Sequence, residues 1–148
     1  MIRIATEHLS EIKRDAEAVY PHECCGLLIG RFEHDGRTRV VLKINPVKNS
    51  WPLEERQARM LISPADYLRA EKEFSAEGLG VVGDYHSHPN HPAVPSRFDL
   101  EHAAWPTLSY IVVSVIDGRA CELRSWEIAP DGSRFKEEEI VKGTRLCR

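Results

Sequence analysis

The stretch "DYHSHPNHPAVPSRFDLEHA", residues 84 to 103, holds four histidines and two aspartates, broken by prolines and followed by the start of a helix. In a strand, residues two apart face the same way, so His86 and His88 project together from a strand end. Imidazoles placed like this reach a single ion at roughly 2.0–2.1 Å. Pro89 stops the strand. Residues 89 to 95 form a proline-rich loop, and "SRFD" follows at 96 to 99. Ser96 and Asp99 stand at i and i+3 on a first helical turn, so Asp99 can turn back toward the loop. His86, His88 and Asp99 then make a zinc set with three protein ligands. Its fourth position is open to water, which marks a catalytic rather than a structural zinc. Each part alone has a plainer reading. Ser96 and Asp99 make an ordinary capping box, His-x-His is often an exposed strand end, and His91 and His102 read as surface residues. The combination points to a site.

A metal-bound water needs a base, and the candidate is Glu23 in "YPHECCGLLIG", residues 20 to 30. It stands where a first helix hands over to an apolar strand, at the mouth of the sheet. As a lone glutamate it would be a solvated loop carboxylate.

The elements around these residues are readable in order. "MIRIA" is a short strand. "TEHLSEIKRDAEAVYP" is a helix with Leu9, Ile12, Ala16 and Val19 on one stripe and Pro21 beyond its end. "CCGLLIGRF", the turn "HDG" and "RTRVVLKINPV" form a hairpin. Lys48 to Arg59 is polar and irregular. In "SPADYLRAEKEFSAEG" Ser63 caps, Pro64 opens the helix and Gly78 ends it, with Tyr67, Ala70 and Phe74 facing the core. "LGVVGDYHSH" is the next strand and "SRFDLEHAAW" a short helix. "LSYIVVSVI", "RACELRSWEIA" and "RFKEEEIV" are further strands. Helices and strands alternate without a strict βα rhythm, which implies a mixed sheet with helices packed on it.

The chain has 148 residues, read as one domain over 1–148, and a formal net charge of -3. Neither a basic stripe nor strong positive charge suggests nucleic acid as a partner. The N-terminus has no apolar signal region, and the longest apolar runs are too short to span a bilayer, so no membrane is implied and the expected location is cytoplasmic. Cys24, Cys25, Cys121 and Cys147 form no CxxC pair or framework spacing and read as free thiols.

Together the upstream Glu23, "HSHP" at 86–89 and "SRFD" at 96–99 resemble the JAMM (MPN-plus) zinc metalloprotease family, in particular its short prokaryotic members. The similarity runs from "PHECCGLLIG" through "YIVVSVI". It implies an α/β fold with three layers, α/β/α, around a mixed central sheet of the cytidine-deaminase-like type. It also implies one zinc per chain, held by His86, His88 and Asp99, with Glu23 as general base. Ser96 as a stabiliser of the oxyanion comes from the resemblance alone. So does the substrate class, the amide bond after the C-terminal Gly-Gly of a small ubiquitin-like or sulfur-carrier protein. One residue departs from the pattern: Asp84 stands where many relatives carry an apolar or aromatic residue. It shares a face with His86 and His88 and reads either as an exposed polar position, the reading favoured here, or as a carboxylate orienting a histidine.

Three rivals bear on this reading. A zinc nucleotide deaminase needs H-x-E and P-C-x-x-C, and neither is present. A non-catalytic MPN-type interaction module usually lacks a ligand, and none is missing. A thiol enzyme would use Cys24 or Cys25, but a cysteine buried in a strand is usually inert. A further expectation concerns residues 47 to 59, "VKNSWPLEERQAR", which read either as a plain surface connection or as a flap whose edge holds an extended substrate tail beside an exposed Trp51.

Overall fold

The computed structural model describes residues 1–103 and 105–143. Its elements are β1 (Ile2–Ile4), α1 (Thr6–Val19), β2 (Cys25–Phe32), β3 (Arg39–Val47), a 3-10 turn (Leu53–Glu55) and α2 (Pro64–Ser75). They continue with β4 (Gly80–Pro89), α3 (Arg97–Glu101), β5 (Ser109–Ile116), β6 (Arg119–Ile128), β7 (Phe135–Glu138) and β8 (Ile140–Lys142). All eight strands join one sheet in the order β7-β6-β5-β4-β2-β3-β1-β8. The pairs β4–β5, β1–β3 and β1–β8 are parallel and the rest antiparallel, so the sheet is mixed, as the sequence implies.

Alternation along the strands sorts the core into two faces. On one face α1 buries Leu9, Ile12 and Ala16 against Leu28, Val41, Tyr85, Ile111 and Val113. Val19, expected on the same stripe, lies at the end of the helix and is exposed. On the other face α2 packs Ala70, with Tyr67 and Phe74, against Cys25, Leu27 and Ile29. Three layers result. Each fully buried Leu or Ile in them contributes roughly 1.5–3 kcal/mol relative to exposure. The sequence signals for α2 hold in detail: the Ser63 hydroxyl accepts from the Asp66 amide, and Gly78 takes a positive φ of 72°. Among the described residues, no helix is long and apolar enough to cross a membrane.

Residues 134–141, expected as one strand, form two. β7 pairs with β6 and β8 pairs with β1, at opposite ends of the sheet order, although only Glu139 separates them. The sheet therefore curls until its ends meet. Ionic contacts hold the seam: the buried Arg39 guanidinium donates to Glu127, Glu138 and the Thr107 carbonyl, and the terminal amine of Met1 lies 3.2 Å from Glu138. Periodicity in a short charged stretch carries no sign of such a change of partner.

β2 and β4, the pair that bears the site, approach closely at Gly26. A Cβ there would overlap the Tyr85 ring. Tyr85 cannot retreat, because it is fully buried and its hydroxyl donates to Asp15 of α1 at 2.7 Å. Gly26→Ala is expected to destabilise the protein by about 1–3 kcal/mol through overpacking. Thermal melting reads this, and an unchanged midpoint would show that the ring moves aside freely.

Candidate active site

β4 lies in the middle of the sheet, between β2 and β5. Its end is where the chain leaves a parallel pair through a crossover that carries α3, a usual place for sites in α/β sheets. Register does the rest. Cys25 of β2 lies opposite His86, so counting outward sets Glu23 across from His88. Two further bonds hold this junction together: the Cys24 amide donates to the Ser87 hydroxyl at 2.8 Å, and the Ser87 amide donates to the Cys24 carbonyl.

His86 Nε2 and His88 Nε2 stand 3.1 Å apart, and Asp99 Oδ2 is 3.2 Å from each. Ligands arranged tetrahedrally at roughly 2.0–2.1 Å from a common ion would be about 3.3 Å from one another. The triangle has that size. Asp99 is aimed by the helix it starts. Ser96 caps α3, its hydroxyl accepting from the Asp99 amide at 3.1 Å, while the Ser96 amide donates to Asp99 Oδ2 at 2.7 Å. The capping box thus also brings Asp99 Oδ2 to the two imidazoles. The proline-rich loop is pinned as well: Trp126 donates to the Ala93 carbonyl and Ser114 to the His91 carbonyl. His88 Nδ1 lies 3.0 Å from the Pro92 carbonyl. Only an N–H can satisfy that contact, so in the neutral imidazole Nε2 is the nitrogen that carries the lone pair.

Glu23 is 3% exposed, and its Oε1 has no partner. Its carboxylate, His86 and His88 offer ligand atoms within 4.8 Å of one another. Burial pushes the Glu23 carboxyl up to about 7, with Asp99 adding to the rise and His86 opposing it. Burial works against a charge on His86, but the carboxylates of Asp99, Glu23 and Asp84 outweigh it and hold the imidazole up at about 9. Asp99 is held far below the usual carboxylate range; burial opposes this, and the His86 charge and the bonds from His86, His88 and Ser96 prevail. Three carboxylates around two histidines make a site of the right donor set and charge for a divalent cation.

Glu23, His88 and Ser96 also line one groove, together with Gln57, Ala58 and Val94. The structure therefore gathers all five residues picked out in the sequence. His102 is exposed, as expected, but its ring stacks on Phe98 at 3.9 Å, and both rings lie edge-on to Trp51. Asp84 differs from the favoured expectation. It is 3% exposed, with Oδ2 accepting from the Tyr67 hydroxyl at 2.9 Å and Oδ1 unpartnered. Asp84 lies on the α2 face of a central strand, where Tyr67 of α2 covers it.

Residues 48–59 form no strand. They fold back around the 3-10 turn, so the open edge expected of a flap is not there, and Trp51 is half-buried rather than exposed. Asn49 organises the segment, and sequence reasoning missed it. Its side chain donates to the carbonyls of Glu23 and Arg59 and accepts from the amides of Trp51 and Leu61. The bond to Trp51, two residues on, is an Asx turn, a signal that "VKNSW" does contain. The Glu23 amide in turn donates to the Arg56 carbonyl at 2.7 Å. Glu23 is thus fixed from the loop as well as from the sheet. Cys24, Cys25 and Cys121 are free thiols; Cys147 lies outside the described residues. Burial pushes the Cys24 thiol up to about 12 and raises Cys25 as well, which leaves neither as a ready thiolate nucleophile.

The family of prokaryotic homologs of the JAB domain matches residues 5–129. The chain belongs to this family. A desampylase of Haloferax volcanii is 34% identical over 133 residues, covering 90% of this chain and 87% of the relative. A CysO-cysteine peptidase of Mycobacterium tuberculosis is 30% identical over 118 residues, covering 80% of this chain and 75% of the relative. Among solved structures, a solution structure of a Desulfitobacterium hafniense protein superimposes with a TM-score of 0.81 at 32% identity, covering 99% of this chain and 96% of that one.

Proposed function

We propose that this chain is a zinc-dependent peptidase or isopeptidase. Its substrate is the amide bond after the C-terminal Gly-Gly of a small ubiquitin-like or sulfur-carrier protein in the cytoplasm. The observation that carries the reading is the triangle of His86, His88 and Asp99 atoms at 3.1–3.2 Å, with the buried Glu23 carboxylate, unpartnered at Oε1, within 4.8 Å of both imidazoles. Family membership and the two named relatives support the substrate class.

His86, His88 and Asp99 would hold one zinc per chain. Zinc bound there supplies a Lewis acid and brings the pKa of a water toward neutrality. Glu23, free to accept at Oε1, takes a proton from the attacking water and passes it to the leaving nitrogen. The Ser96 hydroxyl faces the oxygen of the attacked carbonyl. Capping uses Ser96 Oγ as an acceptor, so its own hydrogen stays available to donate. A tail of two glycines is thin enough to pass the groove walls at Gln57, Ala58 and Val94. Those walls include part of the 48–59 segment, so its role is that of a side wall.

Ser96→Ala separates two contributions. Losing the cap is expected to cost roughly 1 kcal/mol of stability, and losing the donor to lower kcat by about 10²–10³. Melting and turnover measured on one preparation check both. A lowered melting point with normal turnover would leave Ser96 as a cap only.

The test of the whole reading is a ubiquitin-like carrier joined through its C-terminal Gly-Gly to a short peptide. Mass spectrometry is expected to find the carrier ending at Gly-Gly after incubation with zinc-loaded protein, and an intact conjugate after chelation. A conjugate left intact by the zinc-loaded protein would overturn the substrate class, and cleavage unaffected by chelation would overturn the zinc chemistry.

A further inference from the structure

The two histidines of the site are supported unequally. His88 has its outer nitrogen bonded to the Pro92 carbonyl, which fixes its tautomer and ring orientation. His86 has its Nε2 in the triangle, but its Nδ1 is buried and without a partner. Two residues back along the strand, on the same face, Asp84 Oδ1 is also buried and without a partner. Its other oxygen is held by Tyr67. The two unpaired atoms do not bond each other directly, yet both residues line one small cavity of about 50 Å³, shared with Tyr67, Asp99, His102 and Tyr110. A water needs roughly 10–15 Å³ and at least two polar partners. The cavity offers that room, and Asp84 Oδ1 and His86 Nδ1 are the buried polar atoms of its lining that lack a partner.

We propose that Asp84 is a positioning residue for His86, acting through a single ordered water that accepts from Nδ1–H and donates to Oδ1. Tyr67 aims the carboxylate and the water relays it. The bond keeps the proton on Nδ1, so Nε2 presents its lone pair to the metal. Histidine ligands gain basicity and a fixed orientation from such a partner, and its loss typically weakens metal binding 10–100-fold. The main chain gives His88 the same support. The inference rests on the zinc reading above and adds a residue to it.

Zinc titration tests it, with the fold of the metal-free proteins checked by circular dichroism. Asp84→Asn keeps the shape and the place beside Tyr67 but removes the charge. It is expected to raise the zinc Kd by about tenfold, and Asp84→Leu by up to about a hundredfold. In zinc-loaded wild type the His86 Nδ1 proton is expected as a protected signal in ¹H–¹⁵N spectra, exchanging faster in Asp84→Asn. A folded Asp84→Asn protein with the wild-type Kd and an equally protected proton would overturn the proposal while leaving the zinc site standing. A wild-type protein that takes up no zinc would overturn both.

Discussion

Glu23→Gln is expected to lower kcat by about 10²–10⁴ while leaving the zinc content at the wild-type level. The two halves of that result separate a base from a ligand. Glu23 comes within 4.8 Å of the two imidazole nitrogens, so proximity alone does not assign it. Asp99 does what a third ligand must: its Oδ2 is 3.2 Å from both imidazoles and is aimed by a helix cap. Glu23 is left as a buried carboxylate with a free oxygen. Glutamine fills the same space, keeps the backbone bonds to Asn49 and Arg56, and cannot take a proton. The pH profile carries a second signature. A base must be ionised, so activity falls as pH drops through the pKa of Glu23. Burial lifts that group to about 7 without metal. A cation beside it favours the carboxylate, so the acid limb of kcat/KM in the zinc enzyme is expected below 7. The limb should vanish in Glu23→Gln. Loss of zinc from this variant would make Glu23 a ligand, and near-normal turnover would remove it from the chemistry.

His88→Ala is expected to abolish activity together with zinc binding. His88 contributes one corner of the triangle, and its side chain is 12% exposed, so truncation at the strand end leaves the core intact. His86 and Asp99 alone would not define a tetrahedral site. Stability gives an independent reading. A ligand that binds only the folded state stabilises it by about 2.7 kcal/mol at a hundredfold excess over Kd. Added zinc should therefore raise the melting point of wild type and leave that of His88→Ala unmoved. Equal zinc content and equal shifts in both proteins would take His88 out of the ligand set.

The placement of these side chains was legible in the sequence because they lie close together along the chain. His86 and His88 are two apart on a strand, and Ser96 and Asp99 share a helical turn, so period and spacing placed four groups without a fold. Glu23 was legible through its position at the start of an apolar strand. What escaped was set by tertiary contact. Asp84 is buried because α2 and Tyr67 cover it, and an isolated aspartate in "GDYHSH" does not announce its cover. Residues 48–59 look like an open flap because they are polar and lack periodicity. Asn49 ties them down with bonds to residues up to 26 positions away. Closure of the sheet by β7 and β8 depends on β1 lying beside residues 140–142, a pairing across nearly the whole chain. Local propensity carries no record of such a partner.

The assignment of ligands and base is the centre of the account, and anomalous X-ray diffraction at the zinc edge from zinc-loaded crystals tests it most directly. One anomalous peak per chain is expected, roughly 2.0–2.2 Å from His86 Nε2, His88 Nε2 and an Asp99 oxygen, with the Glu23 carboxylate outside bonding distance. A peak bound by Glu23 in place of Asp99, or no peak between the two histidines, would contradict it.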